Sequence, residues 1–138
     1  MKAVVQRVES ASVSVGGEVV SSIDAGLFVL LGVARGDDAA IAEKVAGKIL
    51  KLRVFDDASG RIGEALGDRE VLCVSQFTLM ADLSRGNRPG FEDAARPEEA
   101  EPLYELVCER LGAARGVFGA DMTIDLECDG PVTILLEG

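Results

Sequence analysis

The first third of the chain alternates apolar and polar residues in short segments, which is the period of strands with one buried face. Ala3–Val8 and Ser12–Val15 are predicted as strands, and Gly16-Gly17 is a two-residue hairpin signal before a further strand, Glu18–Ile23. The apolar run Leu27–Val33 is typical of a strand that is covered on both faces. The pattern therefore predicts a β-meander followed by a central strand.

Two later segments repeat apolar residues with the period of an amphipathic helix. In the first, Asp37 is placed to cap a helix that we predict from about Asp38 to Leu52. In the second, Pro97 occupies a first helical position and Gly112 is placed to end the helix, while Pro102 either delays or kinks its start. The apolar positions are Ile41, Val45, Ile49 and Leu52 in the first segment and Leu103, Leu106, Val107 and Leu111 in the second.

The remaining apolar segments are short and are separated by turn-forming residues. Arg53–Phe55 is predicted as a short strand and Glu70–Phe77 as a buried one. Val117–Glu127 and Val132–Leu136 are predicted as two further strands, and the ordinary interpretation of Asp129-Gly130-Pro131 between them is a hairpin turn. Together the elements predict one strand-rich α/β domain over residues 1–138 with two main helices.

Composition narrows the possible functions. The formal net charge of −10 argues against a protein that coats long nucleic acid, DNA included. The absence of histidine removes the usual general base near neutral pH and the commonest zinc ligand. No metal site is expected, because the three cysteines are widely spaced and histidine is absent. No cofactor is expected either. Cys73 and Cys108 lie in apolar segments and are expected to be inert buried thiols, whereas the environment of Cys128 stays open.

The apolar pattern argues against insertion in a membrane and against secretion. No apolar run approaches the roughly 20 residues that cross a bilayer. Met1–Glu9 alternates like a strand and has no secretion-signal pattern. We therefore expect a cytoplasmic protein without a membrane partner.

Two short segments are candidates for chemistry. The polar side chains of Ser75-Gln76-Phe77-Thr78, at the end of an apolar strand, are either satisfied by nearby backbone groups or face a cleft together. Generic physics favours the first alternative. In Cys128–Thr133, Gly130 permits unusual backbone angles and Pro131 lacks an N–H donor. Sequence physics alone does not predict a cis bond between them.

Taken together, the Ser75-Gln-Phe-Thr and Gly130-Pro-Val-Thr segments resemble the motifs of the D-aminoacyl-tRNA deacylase family. Five further blocks resemble that family in the same order, so the resemblance spans essentially the whole chain; they are Met1–Val8, Leu30–Val33, Lys51–Asp57, Arg88–Phe91 and Gly116–Met122. The sequence departs from the family in two places: Cys128 stands where asparagine is usual, and the connection Leu111–Gly116 is shorter.

The resemblance implies a fold of layered mixed β-sheets with helices, and a homodimer in which the Gly130-Pro131 loop of each subunit enters the other's active site. In the family the Gly-Pro bond is cis, and its carbonyl oxygens exclude an L side chain from the pocket by clash. The implied activity is hydrolysis of the ester bond of D-aminoacyl-tRNA, a chiral proofreading step in translation quality control. Activity on glycyl-tRNA is left open.

Ester hydrolysis needs a nucleophile and hydrogen-bond donors for the oxyanion that develops on the carbonyl oxygen. The resemblance places catalysis at Ser75, Gln76, Phe77 and Thr78, with backbone N–H groups around Phe77 and Thr78 as the donors. An unassisted threonine hydroxyl is a weak nucleophile, and the chain has no histidine to activate Thr78. We therefore expect water to attack, helped by the 2′-hydroxyl of the terminal adenosine.

Binding one tRNA 3′ end requires contact with few phosphates, which an acidic enzyme can make locally. Arg85, Arg88 and Lys51 are candidates for that contact, although the Arg85–Gly90 loop is explained equally well as a solvated turn. Arg7 either braces the partner's Gly130-Pro131 loop or is a buried structural residue. A non-catalytic module that binds the tRNA 3′ end and a dimer with a purely structural role remain as alternative functions.

Overall fold

The computed structural model describes every residue from 1 to 138. Its eight strands are β1 (Lys2–Val15), β2 (Glu18–Ile23), β3 (Gly26–Gly32), β4 (Phe55–Asp56), β5 (Ile62–Glu64), β6 (Glu70–Ser75), β7 (Ala114–Arg115) and β8 (Thr123–Glu137). Its helices are α1 (Ala39–Lys51), a short 3₁₀ helix (Phe77–Met80) and α2 (Pro97–Leu111). Neither α-helix is long and apolar enough to cross a membrane.

Six of the strands form one mixed sheet. β1 pairs antiparallel with β2, β3 and β8, whereas β3 with β6 and β6 with β7 are parallel pairs. The sheet curls until β2 approaches β7, where the hydroxyl of Ser21 donates to the carbonyl oxygen of Arg115 at 2.7 Å. The predicted α/β fold with mixed β-sheets and two main helices is therefore confirmed.

The strand β3 is buried on both faces, as its apolar run predicts. Leu27, Val29 and Leu31 belong to a core of 21 buried residues that also contains the apolar faces of α1 and α2. Phe28 lies on the opposite face of the sheet, in a smaller core of seven buried residues that fills the curl. A continuous apolar strand is stable here because neither of its faces meets water.

A buried tyrosine fastens α2 to the sheet. The hydroxyl of Tyr104 donates to the carbonyl oxygen of Cys73 at 2.7 Å, and burial raises the pKa of Tyr104. A hydrogen bond with Cys108 and burial together raise the pKa of the Cys73 thiol. The predicted burial of Cys73 and Cys108 is confirmed, and Cys128 is exposed.

The structure corrects two predictions about long strands. β1 is one strand and not two, because Ser10 stays paired with Glu127 of β8 across the polar segment in its middle. β8 is also one strand, where the sequence predicts Val117–Glu127 and Val132–Leu136 with a hairpin turn between them. Both halves of β8 pair antiparallel with β1, so the chain does not reverse at Asp129-Gly130-Pro131.

Smaller corrections concern the ends of elements. The cap of α1 is Asp38, whose side chain accepts from the N–H of Ile41 at 3.0 Å. Asp37 accepts instead from the N–H of Ala34 at 2.7 Å. β6 ends at Ser75 and not at Phe77, because the chain turns there into the 3₁₀ helix.

The other differences involve the second helix and very short strands. α2 runs unbroken through Pro102 and ends before Gly112, whose φ of 59° is the left-handed conformation that glycine adopts easily. The predicted strand Arg53–Phe55 is shifted to Phe55–Asp56. β5 and β7 are not predicted, since strands of two or three residues are too short to show a period.

The close packing of β3 on β6 leads to a test of the sheet. A Cβ built on Gly26 would lie 1.8 Å from the carbonyl oxygen of Glu70, so the two strands would have to separate. We expect Gly26→Ala to lower the free energy of unfolding by at least about 2 kcal/mol in urea denaturation. The control is Gly47→Ala in α1, where a Cβ meets nothing within 4 Å. It should add about 0.5–1 kcal/mol, and equal effects of the two changes would contradict the packing.

Candidate active site

The segment after β6 presents two unused backbone donors. The N–H of Gln76 donates to the carbonyl oxygen of Leu31 at 2.7 Å, which fixes the segment to the end of β3. The N–H of Leu79 then donates to the carbonyl oxygen of Gln76 at 3.3 Å as the 3₁₀ helix begins. The N–H groups of Phe77 and Thr78 donate no hydrogen bond within the chain. Such free donors are expected at the start of a helix.

The polar side chains of this segment are open to solvent. Ser75 and Gln76 are half-buried, and Thr78 is exposed. None of the three side chains makes a hydrogen bond within the chain, and no buried polar side-chain atom is left without a partner. The structure therefore does not show the first alternative, in which nearby backbone groups satisfy these side chains.

A cavity of about 620 Å³ lies beside Ser75, Gln76 and Phe77, and Thr78 does not line it. Its other walls come from the segment after β3, the start of α2 and the segment before β8. The rings of Phe77 and Phe91 meet edge to face there, with centroids 5.0 Å apart and planes at 68°. The size and mixed lining are those of a small-molecule site.

Some residues around the cavity are not indicated by the sequence. Arg35 and Arg96 line it, and neither makes a salt bridge. Phe118 is indicated only as part of the block Gly116–Met122. The positions of the phenylalanines are a signal for this cavity, because the chain has only five of them and three line it.

The Gly130-Pro131 segment forms a bulge in the middle of β8. Gln6 pairs with Thr133 and Val8 pairs with Cys128, so a single residue of β1, Arg7, stands opposite the four residues 129–132. The Gly130-Pro131 peptide bond is cis. Gly130 has a φ of +122°, which glycine adopts far more readily than other residues. We call residues 129–132 the β8 bulge.

Arg7 holds the β8 bulge of its own chain. It is only 6% exposed and is the one charged residue in the buried set. Its guanidinium donates to the carbonyl oxygen of Val54 at 2.8 Å and to that of Asp129 at 3.1 Å. It also lies 3.3 Å from the Asp129 carboxylate and 3.4 Å from that of Asp56. Within its own chain, the buried Arg7 thus joins the β8 bulge to the segment after α1.

Three carboxylates, those of Glu9, Glu127 and Asp129, lie close together at the β8 bulge. A hydrogen bond with Glu127 and the charges of Glu127 and Asp129 raise the pKa of Glu9 above its ordinary value. Asp129 is compensated by Arg7, whereas Glu9 and Glu127 have no cation within salt-bridge distance. This part of the surface is thus unfavourable for phosphate groups.

The β8 bulge and the Ser75–Thr78 segment of one chain lie far apart. Ser75 pairs with Leu31 of β3, and Leu31 pairs with Ala3 of β1, whereas the bulge lies opposite Arg7 on the other side of β1. Three strand steps of about 4.8 Å and four residues of about 3.3 Å separate them, roughly 20 Å in all. The two segments cannot surround one small ligand within a single chain.

The remaining predicted contact residues lie outside the cavity. Arg85 and Arg88 surround a small depression of about 110 Å³ together with Asp82 and Glu92, whose carboxylates offset their charge. Lys51 is exposed in the last turn of α1. No group of three or more histidine, cysteine, aspartate or glutamate residues is placed to hold a metal ion.

Free backbone donors beside a cavity are typical of enzymes that stabilise an oxyanion, and comparison with known proteins agrees with that class. A family model described as D-Tyr-tRNA(Tyr) deacylase matches residues 4–137. A D-aminoacyl-tRNA deacylase of Dehalococcoides mccartyi (strain 195) is 54% identical, with 99% of this chain and 94% of that protein covered. The D-aminoacyl-tRNA deacylase of Opitutus terrae is 53% identical, with 99% and 97% covered.

Two solved structures are similar over nearly the whole chain. A c-Myc DNA unwinding element binding protein has a TM-score of 0.95 at 45% identity and covers 100% of this chain and 99% of its own. A probable eukaryotic D-amino acid tRNA deacylase has a TM-score of 0.83 at 15% identity, with 98% and 97% covered, and so supports the fold alone. From the family match and these identities, the chain belongs to the D-Tyr-tRNA(Tyr) deacylase family.

The role of Arg7 leads to a stability test. Arg7→Met keeps the aliphatic stem but leaves the buried carbonyl of Val54 and the Asp129 carboxylate without their partner. We expect the free energy of unfolding to fall by roughly 2–4 kcal/mol in urea denaturation. The matched control is Arg110→Met, which removes an exposed ion pair to Glu43 of 2.8 Å and should cost less than about 1 kcal/mol. Similar losses in both variants would show that burial of Arg7 is not decisive.

Proposed function

We propose that this protein hydrolyses the ester bond of D-aminoacyl-tRNA in the cytoplasm and releases the free D-amino acid and tRNA. The observation that carries the proposal is the pair of free N–H groups on Phe77 and Thr78, next to a cavity of about 620 Å³. Membership of the family and the names of relatives more than 50% identical support it.

The free N–H groups are suited to the developing oxyanion. They are fixed by the bond from Gln76 to Leu31 and need no rearrangement to donate to a carbonyl oxygen. Donors that are already oriented are worth several kcal/mol to the transition state. The Thr78 hydroxyl makes no hydrogen bond to a basic side chain, and the chain has no histidine to activate it. Water is therefore the nucleophile in this proposal, assisted by the 2′-hydroxyl of the terminal adenosine, with Ser75 and Gln76 positioning the ester.

The cavity is suited to the adenosine at the tRNA 3′ end. Phe77, Phe91 and Phe118 offer aromatic surface for the base, which stacks on such rings regardless of sequence. Arg35 and Arg96 line the same cavity without a carboxylate partner and add local positive charge. An enzyme with a net charge of −10 thus holds one nucleotide without a broad basic surface.

Selection against L-amino acids is proposed to come from a second copy of the chain. Because the β8 bulge lies roughly 20 Å from the Ser75–Thr78 segment of its own chain, Gly130 and Pro131 act at the site of the partner in a homodimer. Leu135 on β8 is 74% exposed and Phe77 is 56% exposed, and a dimer would remove such apolar surface from water. A backbone wall excludes an L side chain but not a hydrogen atom, so glycyl-tRNA is a second substrate in this scheme.

The main alternative is a module that binds the tRNA 3′ end without cleaving it. Cys128, where the family usually has asparagine, borders the β8 bulge and is the departure that motivates this alternative. Turnover of charged tRNA by the purified protein separates the two functions, and it also excludes a purely structural dimer.

A substitution at Phe77 tests the oxyanion donors. Phe77→Pro removes one N–H, and proline is tolerated at the first position of a helix. Phe77→Ala removes the same ring but keeps the donor. With D-tyrosyl-tRNA as substrate, we expect kcat of Phe77→Pro to be about 100-fold below that of Phe77→Ala. Equal rates in two folded variants would exclude the donor role, and hydrolysis of L-tyrosyl-tRNA by the parent at the same rate as D-tyrosyl-tRNA would contradict the proposed selectivity.

Mixed dimers test the shared site. Gly130→Ala places a Cβ 3.0 Å from Val132 and 3.1 Å from Arg7 at a φ of +122°, so the β8 bulge must shift. We expect each of Phe77→Pro and Gly130→Ala to be nearly inactive alone. Subunits exchanged at equal amounts should recover about one quarter of parental activity, because half of the dimers have one intact site out of two. Absence of recovery in verified mixed dimers would show that both segments act within one chain.

A further inference from the structure

Most of the lysines of the protein lie on one face of α1. Lys44, Lys48 and Lys51 are three of its four lysines, and all three are exposed. Their spacing of four and three residues places them on one side of the helix. Together with Glu43, Gly47, Leu52 and Leu136 they line an open groove of about 600 Å³. We call Lys44, Lys48 and Lys51 the lysine face.

The charge of the lysine face is not compensated. None of its three lysines makes a salt bridge. The one carboxylate of α1 is that of Glu43, and its two oxygens share the Nε–H of Arg110 of α2 at 2.8 and 2.9 Å, which also lowers the pKa of Glu43. Gly47 adds no side chain, and a Cβ there would meet nothing within 4 Å. Three free ammonium groups therefore border an open groove on a protein whose net charge is −10.

The Lys51 end of the lysine face lies near the β8 bulge of its own chain. α1 ends at Lys51, and three residues later the carbonyl oxygen of Val54 accepts from Arg7, which also holds Asp129. The start of α1 lies instead beside Ala34, near the cavity of the same chain. If the β8 bulge acts at the partner's site, Lys51 of the same subunit is the lysine nearest to that site. Lys48 and Lys44 then lie progressively farther from it.

We propose that the lysine face binds the phosphate backbone of the tRNA acceptor stem whose 3′ end occupies the partner subunit's cavity; this inference rests on the proposed function. The three lysines span about 10 Å along the helix axis. One strand of a nucleic-acid duplex carries about three phosphates over such a length. The acidic surface at Glu9 and Glu127 repels the same backbone, so the lysine face also sets the direction in which the stem leaves the site.

The experiment compares a substrate that has the stem with one that lacks it. The triple variant Lys44→Gln, Lys48→Gln, Lys51→Gln should raise KM for D-tyrosyl-tRNA about tenfold. It should also lower the dependence of log kcat/KM on log salt concentration by about two to three, close to one per lost phosphate contact. Hydrolysis of 3′-O-D-tyrosyl-adenosine, which has no stem, should be unchanged. The matched control changes the same three lysines to arginine, keeps the charge and should behave as the parent.

The outcomes separate this inference from the proposed function. A parent that cleaves neither substrate refutes the proposed function itself. A parent that cleaves both, together with a glutamine variant that keeps its KM for D-tyrosyl-tRNA, overturns the role of the lysine face alone. An equal loss on both substrates also overturns it, because the lysines would then act on the site and not on the stem. An arginine variant that loses as much as the glutamine variant excludes recognition by charge.

Discussion

The buried guanidinium of Arg7 is the interaction on which the middle of this structure depends. A charge that is removed from water must be matched by fixed acceptors, and Arg7 finds them on the backbone of Val54, on Asp129 and on Asp56. These partners belong to the segment after α1 and to β8, so one side chain of β1 joins two parts of the chain. The bulge in β8 can persist because its extra residues are held by this group rather than by strand pairing.

The elements that could be predicted are those whose cause is local. The run Leu27–Val33 shows a strand buried on both faces, and the apolar positions of α1 show which side of the helix is covered. The Asp129-Gly130-Pro131 segment could not be assigned in this way. The same residues suit a hairpin turn and a bulge, and the choice is made by β1, more than a hundred residues away, which pairs with both flanks.

The candidate site also combines features with a local cause and features that depend on distant parts of the chain. Ser75, Gln76 and Phe77 are marked by their polar character at the end of an apolar strand and by family resemblance. The free N–H groups of Phe77 and Thr78 are a property of the chain path after β6, which no side-chain pattern records. The walls of the cavity come from segments that are distant in sequence. The sequence around Arg35 and Arg96 therefore does not indicate that they line it.

The free donors and the β8 bulge are both made of backbone atoms. At the donor segment every amino acid except proline supplies the same N–H group, so its side chains can vary, whereas position 130 of the β8 bulge favours glycine because its φ is +122°. The lengths of the two segments cannot vary in the same way. An insertion or deletion of one residue near Phe77 or Gly130 would reorient these backbone groups, whatever side chains were retained. After β6, selection should therefore act on the number of residues more strictly than on their identity.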